Sequence, residues 1–343
     1  MAGKKKSLSC GVGGQAVLEG VMMKHKDEYA IAVRKPDGEI EVEIDIFRGI
    51  LAGKAIKEFP FIRGVFNFID SMVLGMKTIT YSASFYEDEE AEATAVDKVT
   101  DKVFKDKAEK VLLGLTTVFS VALALGIFVL LPFFISNWMK SFIRNASLVA
   151  ILEGVLRIVI FLAYVSVISF MKDIKRLYSY HGAEHKCINC IEKGRPLTVR
   201  DVMRSSRLHR RCGTSFMFFV IFISIFIFFF IRVDNIWLKS LTRIALMPVI
   251  AGISYEVIRW AGRSDNFIVR ILSAPGMLIQ RITTREPDES MVEVAIRAVE
   301  AVFDWKAYQK ETFGYDIDEQ WMNDHDDSIG SDDDSDIESG ADQ

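Results

Sequence analysis

Residues 111–135, VLLGLTTVFSVALALGIFVLLPFFI, pass 25 positions without one charged side chain. No other stretch constrains the fold as strongly. A helix of that length exceeds the roughly 30 Å of hydrocarbon in a bilayer. In lipid the backbone must satisfy its own hydrogen bonds, so such a run is read as a spanning helix. Three further apolar runs follow: 148–171, interrupted by Glu153 and Arg157; 213–231, GTSFMFFVIFISIFIFFFI; and 244–260, with Pro248 and Gly252 inside and Glu256 and Arg259 near its end. The expectation is a mainly α-helical polytopic membrane protein with about four spans. Composition agrees: 50% of residues are hydrophobic and 26% charged, and the two kinds fall in separate blocks.

Loop charge gives the orientation. Segment 172–212 is dense in Lys and Arg, whereas 136–147 and 232–243 hold far fewer. The positive-inside rule assigns 172–212 to the cytosol. An even number of spans then leaves both termini cytosolic. The start, MAGKKKSLSC, has a basic cluster without an apolar core behind it, so no cleavable secretion signal is read there.

Outside the spans (111–171 and 213–260) the chain divides further. Residues 1–59 form a cytosolic segment. Within it YAIAVRKPDGEIEVEID alternates on both sides of Pro36-Asp37-Gly38, which predicts a β-hairpin. The glycines of GVGGQAV are read as a plain turn, with a backbone anion nest as the alternative. Residues 60–110 hold an amphipathic helix over 60–85, with Arg63, Asn67, Asp70 and Lys77 in one polar stripe, and then a charged linker. Residues 261–305 predict an interfacial amphipathic helix broken at Pro275-Gly276 and a soluble helix over 288–303. The acidic stretch 306–343 lacks apolar residues to bury and is expected to be disordered.

The chemistry concentrates in YHGAEHKCINC, residues 180–190. His181 and His185 are four apart and share a helical face, a spacing that suits two imidazoles on one metal ion. Glu184 between them can sit beside the ion as general base, as in the inverted H-x-x-E-H metallopeptidase pattern. The bland alternative is an interfacial histidine pair hydrogen-bonded to Glu184. A third ligand is sought in Glu256 or Cys212; for Glu256 the competing reading is an ion pair with Arg259 or with loop arginines. The implied cofactor is a divalent metal, most simply zinc. A rival constellation is a structural zinc clip from Cys187, Cys190, His209 and Cys212, spaced C-x-x-C and H-x-x-C. Four cysteines are too few and too scattered for a disulfide scaffold.

PLTVRDVMRSSRLHRRC reads as a short basic helix whose start, Thr198 with Asp201, resembles a capping box. Arg200, Arg204, Arg207 and Arg211 recur at helical spacing and are candidates for binding an anionic small molecule or lipid headgroup. Ordinary positive-inside bias is the plainer account. No aromatic residues interleave with these cations, so nucleic acid is not expected as a partner; membrane lipids are. Glu153 and Arg157 are expected to neutralise each other inside their span.

GGQAVLEGVMM, YHGAEHK, SRLHRRCGTSF and GISYEVIRWAG, spread over residues 10–300, together resemble the bacterial YqhQ-like family. That resemblance implies a bacterial plasma-membrane protein and metal-dependent chemistry. It carries over onto His181, Glu184, His185, Cys212 and Glu256, and leaves out Cys187 and Cys190. The functional expectation is a metal-dependent membrane enzyme, most simply a hydrolase. The alternatives are a scaffold or assembly factor with a structural His/Cys site, and a transporter using Glu153, Arg157 and Glu256.

Overall fold

The structure, a computed structural model, describes residues 9–50, 53–54, 59–86, 114–231, 233, 235–261 and 266–314. The charged linker read over 87–110 and the acidic stretch from 315 onward lie outside the described residues. The chain forms two compact units. One draws on 1–86, 167–219 and 251–343, the other on 87–166 and 220–250.

The first unit is built on an antiparallel sheet of four strands in sequential order, β1 (Val12–Val17), β2 (Gly20–His25), β3 (Glu28–Arg34) and β4 (Ile40–Ile46). The predicted hairpin is β3–β4, with Arg34 opposite Ile40 across the Pro-Asp-Gly loop. The sheet corrects the reading of GVGGQAV as a turn. Gly13 and Gly14 lie inside β1, paired with Lys24 and Met23.

Both faces of the sheet are covered, because side chains alternate along each strand. Val21, Met23, Ala30 and Ala32 join one buried cluster, and Met22, Tyr29, Ile31 and Val33 join another. Covering both faces produces the near-continuous apolar run of β2 and β3, which hides the alternation. Leu74 of α1 (Ile62–Ala83) belongs to the second cluster. On the first face lie the helix Lys172–Glu192 and the helix Glu289–Glu300, which contributes Val292, Val294, Ala295 and Val299.

The polar stripe predicted on α1 pairs with the rest of the first unit, Lys77 from an exposed position. Arg63 pairs with Glu256, Asn67 donates to the Tyr255 hydroxyl, Asp70 accepts from the Ile50 amide, and Lys77 pairs with Asp45. Phe68, Ile69, Met72, Val73 and Ile79 remain exposed. A helix that turns its polar residues to the protein and its apolar ones outward suits an interface with lipid.

The second unit holds most of the apolar helices. Among the described residues, three helices are long and apolar enough to cross a membrane: α2 (Gly114–Met139), α3 (Ala146–Ile168) and α7 (Ile236–Ala261), with α4 (Lys172–Glu192), α5 (Val199–Met203) and α6 (Gly213–Phe229) between α3 and α7. The last of these, α6, is apolar but has only 17 residues, where about 20 are usual for a span. α2 takes a π-helical stretch at Gly126–Leu130. The expected Glu153–Arg157 pair forms, at 2.9 Å, and Arg243 joins it with both terminal nitrogens on Glu153. Phe133 and Phe228 flank the Arg243 guanidinium at 4.4 and 4.9 Å.

Three further expectations are corrected. α8 (Phe267–Thr283) runs unbroken through Pro275-Gly276, held by Gly276 against Ser215 and by Gln280 on Ser215. The helix Glu289–Glu300, α9, is followed by α10 (Trp305–Phe313), which occupies the start of the stretch read as disordered. The basic helix is only α5, five residues long, capped by Thr198 as its spacing with Asp201 predicts. It ends at Met203, so Arg200, Arg204, Arg207 and Arg211 do not form one helical stripe.

Candidate metal centre

α4 carries the H-x-x-E-H sequence in the first unit. The chain breaks after α3 and restarts from an extended Met171, so α4 is a separate helix rather than a continuation of the span. Its packing leaves no room for larger residues at two points. A Cβ on Gly182 would stand 2.0 Å from the Arg285 carbonyl oxygen. A Cβ on Gly14 of β1 would stand 2.5 Å from the Met22 oxygen and 3.0 Å from the Glu184 side chain.

The His181 and His185 rings lie with centroids 4.4 Å apart and tilted by 59°, neighbours four residues apart on one helical face. The Nδ1 of His181 lies 3.0 Å from the Thr283 carbonyl, and that of His185 lies 2.6 Å from the Arg207 carbonyl. A carbonyl only accepts, so each Nδ1 carries the proton. Each Nε2 is thereby left as the donor atom, the orientation that metal-binding histidines commonly use. His181 Nε2 meets the Cys212 sulfur at 3.2 Å. One donor atom from each of His181, His185 and Cys212 falls within 4.8 Å of the others. Among the described residues this is the group that could hold a metal ion.

Without a metal, the electrostatics draw protons to the imidazoles and away from the sulfur, and an incoming cation would displace them. Burial opposes charge on His181, but the Cys212 thiolate outweighs it and lifts the imidazole to about 9. His185 is raised for the same reasons. Burial would raise Cys212, yet the two imidazoles hold it well below the ordinary thiol range. That shift favours the thiolate, the form that ligates metals. Two imidazole nitrogens and one sulfur make a donor set that could hold a metal ion. A cavity of about 680 Å³ lies against the three donors; Gly13, Lys26 and Glu184 also line it. Glu184 is buried, with a carboxylate oxygen 3.8 Å from His181 Nε2.

The other sequence candidates stand elsewhere. Glu256 accepts from Arg63 Nε at 2.6 Å and from the Phe61 amide, so its carboxylate is already engaged outside the cluster. Cys187 and Cys190 sit in the apolar core with Ala30 and Val292. Burial raises Cys187 well above the ordinary thiol range and Cys190 to about 12. The clip of Cys187, Cys190 and His209 with Cys212 is thus not assembled. The His209 ring is 5.7 Å from that of His185, but its Nε2 faces Glu192 at 3.4 Å. Arg211 pairs with Glu192, and Arg207 pairs with Glu286 at 3.0 Å and donates to the Thr284 carbonyl.

Sequence reasoning missed the residues that hold the histidines. Thr283 and Arg207 act through backbone carbonyls, which no side-chain pattern announces. Gln280, fully buried, bridges the His209 backbone and Ser215. A lone glutamine near the end of an amphipathic helix is the only signal it leaves.

The family described as "Protein of unknown function (DUF1385)" matches residues 59–305. A protein of Bacillus subtilis (strain 168), described as "Uncharacterized protein YqhQ", is 35% identical over 294 residues, covering 83% of this chain and 90% of the relative. No solved structure matches.

Proposed function

The chain belongs to the DUF1385 family, and we propose that it is a membrane-embedded metal-dependent enzyme, most simply a hydrolase, with zinc held by His181, His185 and Cys212. The observation that carries this reading is the preset geometry of the centre. Both histidines are locked through Nδ1 by backbone carbonyls, with their rings against the Cys212 sulfur and beside an open cavity. A purely structural site is normally closed by a fourth protein ligand.

Bound there, the cation supplies Lewis acidity toward water or a substrate oxygen. Glu184 is the proton acceptor in this scheme, since its carboxylate borders both the donor set and the cavity. His181 and His185 keep their Nδ1 protons on Thr283 and Arg207 throughout, which fixes both rings. Lys26 brings positive charge to the cavity lining and favours a substrate with an anionic group.

In the bilayer, the reading takes α6 as a short fourth span beside α2, α3 and α7. Both termini then share the cytosolic side with the basic segment 172–212. The exposed apolar faces of α1 and α8 support a place for the first unit at the membrane surface.

A second reading has its own observation. Glu184 is close enough to His181 to act as a fourth ligand, which would close the site and make it structural. Glu184→Gln separates the two. As a base, the glutamate can be replaced with metal content unchanged and loss of function in a deletion strain. As a ligand, its replacement lowers metal affinity at least tenfold. Metal content and complementation measured on one preparation decide between them, and full function in Glu184→Gln refutes the catalytic role.

A further inference from the structure

Away from the metal centre, the first unit has a second cavity, of about 670 Å³, between the first turns of α4 and the end of α8. Its lining is unusually cationic: Lys175, Arg176, Arg207, Arg281 and Arg285 stand against one carboxylate, Glu286. That carboxylate is already matched by Lys186 at 2.9 Å and Arg207 at 3.0 Å. Arg176 pairs with Glu19, with Asp288 nearby. Lys175, Arg281 and Arg285 therefore leave an excess of positive charge directed at one open space.

The position of that space narrows the ligand. Ser169, one residue beyond the apolar helix α3, lines it and accepts from Arg285 Nη2 at 3.2 Å. α8 carries the strongest clue. Phe267, Ile271 and Leu278 are 75%, 56% and 54% exposed and, at offsets of four and eleven residues, lie along one helical face. Arg281, three residues on, falls on that same face at its cavity end. An apolar stripe that runs into guanidinium groups has the layout of a diacyl lipid, with chains along the stripe and phosphate at its end.

We propose that this cavity binds the phosphate of an anionic lipid headgroup, through Lys175, Arg281 and Arg285. None of these three residues lines the cavity at the metal centre. The ligand chemistry, a phosphate monoester or diester, could also come from a soluble compound, and the experiment separates the sources.

The test uses the full chain in detergent micelles, titrated with phosphatidylglycerol or phosphatidylcholine and read by native mass spectrometry. The wild type should retain phosphatidylglycerol selectively. Lys175→Gln with Arg281→Gln and Arg285→Gln should lose about two orders of magnitude in affinity, at about fivefold per cation. A control with the same charge change, Arg297→Gln with Lys306→Gln and Lys310→Gln, should stay within about twofold. Arg281→Lys with Arg285→Lys should retain most of the binding, which guards against a folding defect, and metal content should be unchanged in every variant. Equal lipid retention by the wild type and the triple glutamine variant overturns the proposal. Competition by soluble glycerol phosphate at the affinity of the lipid overturns the lipid source.

Discussion

Gly182→Ala is a one-carbon perturbation whose effect can be worked from the packing. The added Cβ would sit 2.0 Å from the Arg285 carbonyl oxygen, where ordinary contact begins at 3.4 Å, so α4 and the segment after α8 must part by roughly 1.4 Å. Overpacking of backbone against backbone costs about 1–3 kcal/mol. The displacement also strains the hydrogen bond from the Arg285 amide to the Tyr178 carbonyl, worth about 1 kcal/mol. Alanine returns about 1 kcal/mol through helix propensity. The net expectation is a loss of about 1–3 kcal/mol. Thr283, the acceptor that orients His181, lies two residues before Arg285, so the shift reaches the metal centre. Second-shell disturbances of that kind lower metal affinity about 10–100-fold. The assay is denaturant unfolding of the full chain together with competitive chelator titration. Gly126→Ala, where an added Cβ meets nothing within 4 Å, is the control and should be unchanged or stabilised by up to about 1 kcal/mol. A Gly182→Ala protein as stable as the wild type, with unchanged metal affinity, refutes the packing account.

Two further predictions concern buried charge. Burial would raise the Glu192 carboxyl, but His209, Arg211 and the Cys10 amide outweigh it and hold it to about 2, below its ordinary 4.5. A depressed carboxyl contributes stability above 4.5 that is lost as pH falls toward 2, here about 3 kcal/mol; Glu192→Gln should abolish that part of the acid dependence in denaturant unfolding between pH 5 and 2. Glu153→Gln strips the carboxylate from Arg157 and Arg243, both buried, and should cost about 3–5 kcal/mol in thermal or denaturant unfolding; a variant within 1 kcal/mol of wild type, roughly the value of an exposed pair, rules out the buried cluster.

Particular residues show how far a chain like this can be read in advance. Helical spacing alone puts His181 and His185 on one face with Glu184 between them. Charge-free runs alone announce α2 and α6. Cys212 is 31 positions from His181, so spacing left it one third-ligand candidate beside Glu256 and a member of the rival clip, without choosing between them. Glu256 was misjudged because its partner, Arg63, lies 193 positions away on a helix whose polar stripe could have faced either way. β1 and β2 were hidden by two glycines and by burial on both faces, which removes the alternation that marks a strand. The break expected at Pro275 did not occur because contacts through Gly276 and Gln280 outweigh the local penalty. Such outcomes depend on which distant surfaces meet, and one segment's pattern does not contain that information.

X-ray absorption spectroscopy of the zinc-loaded full chain tests the central claim most directly. The expected first shell is two imidazole nitrogens at about 2.0 Å and one sulfur at about 2.3 Å, completed by a light oxygen donor. Cys212→Ser should remove the sulfur scatterer, and Cys187→Ser with Cys190→Ser should leave the spectrum unchanged. A shell with two or more sulfurs, or a protein that takes up no stoichiometric metal, contradicts a His181, His185 and Cys212 centre.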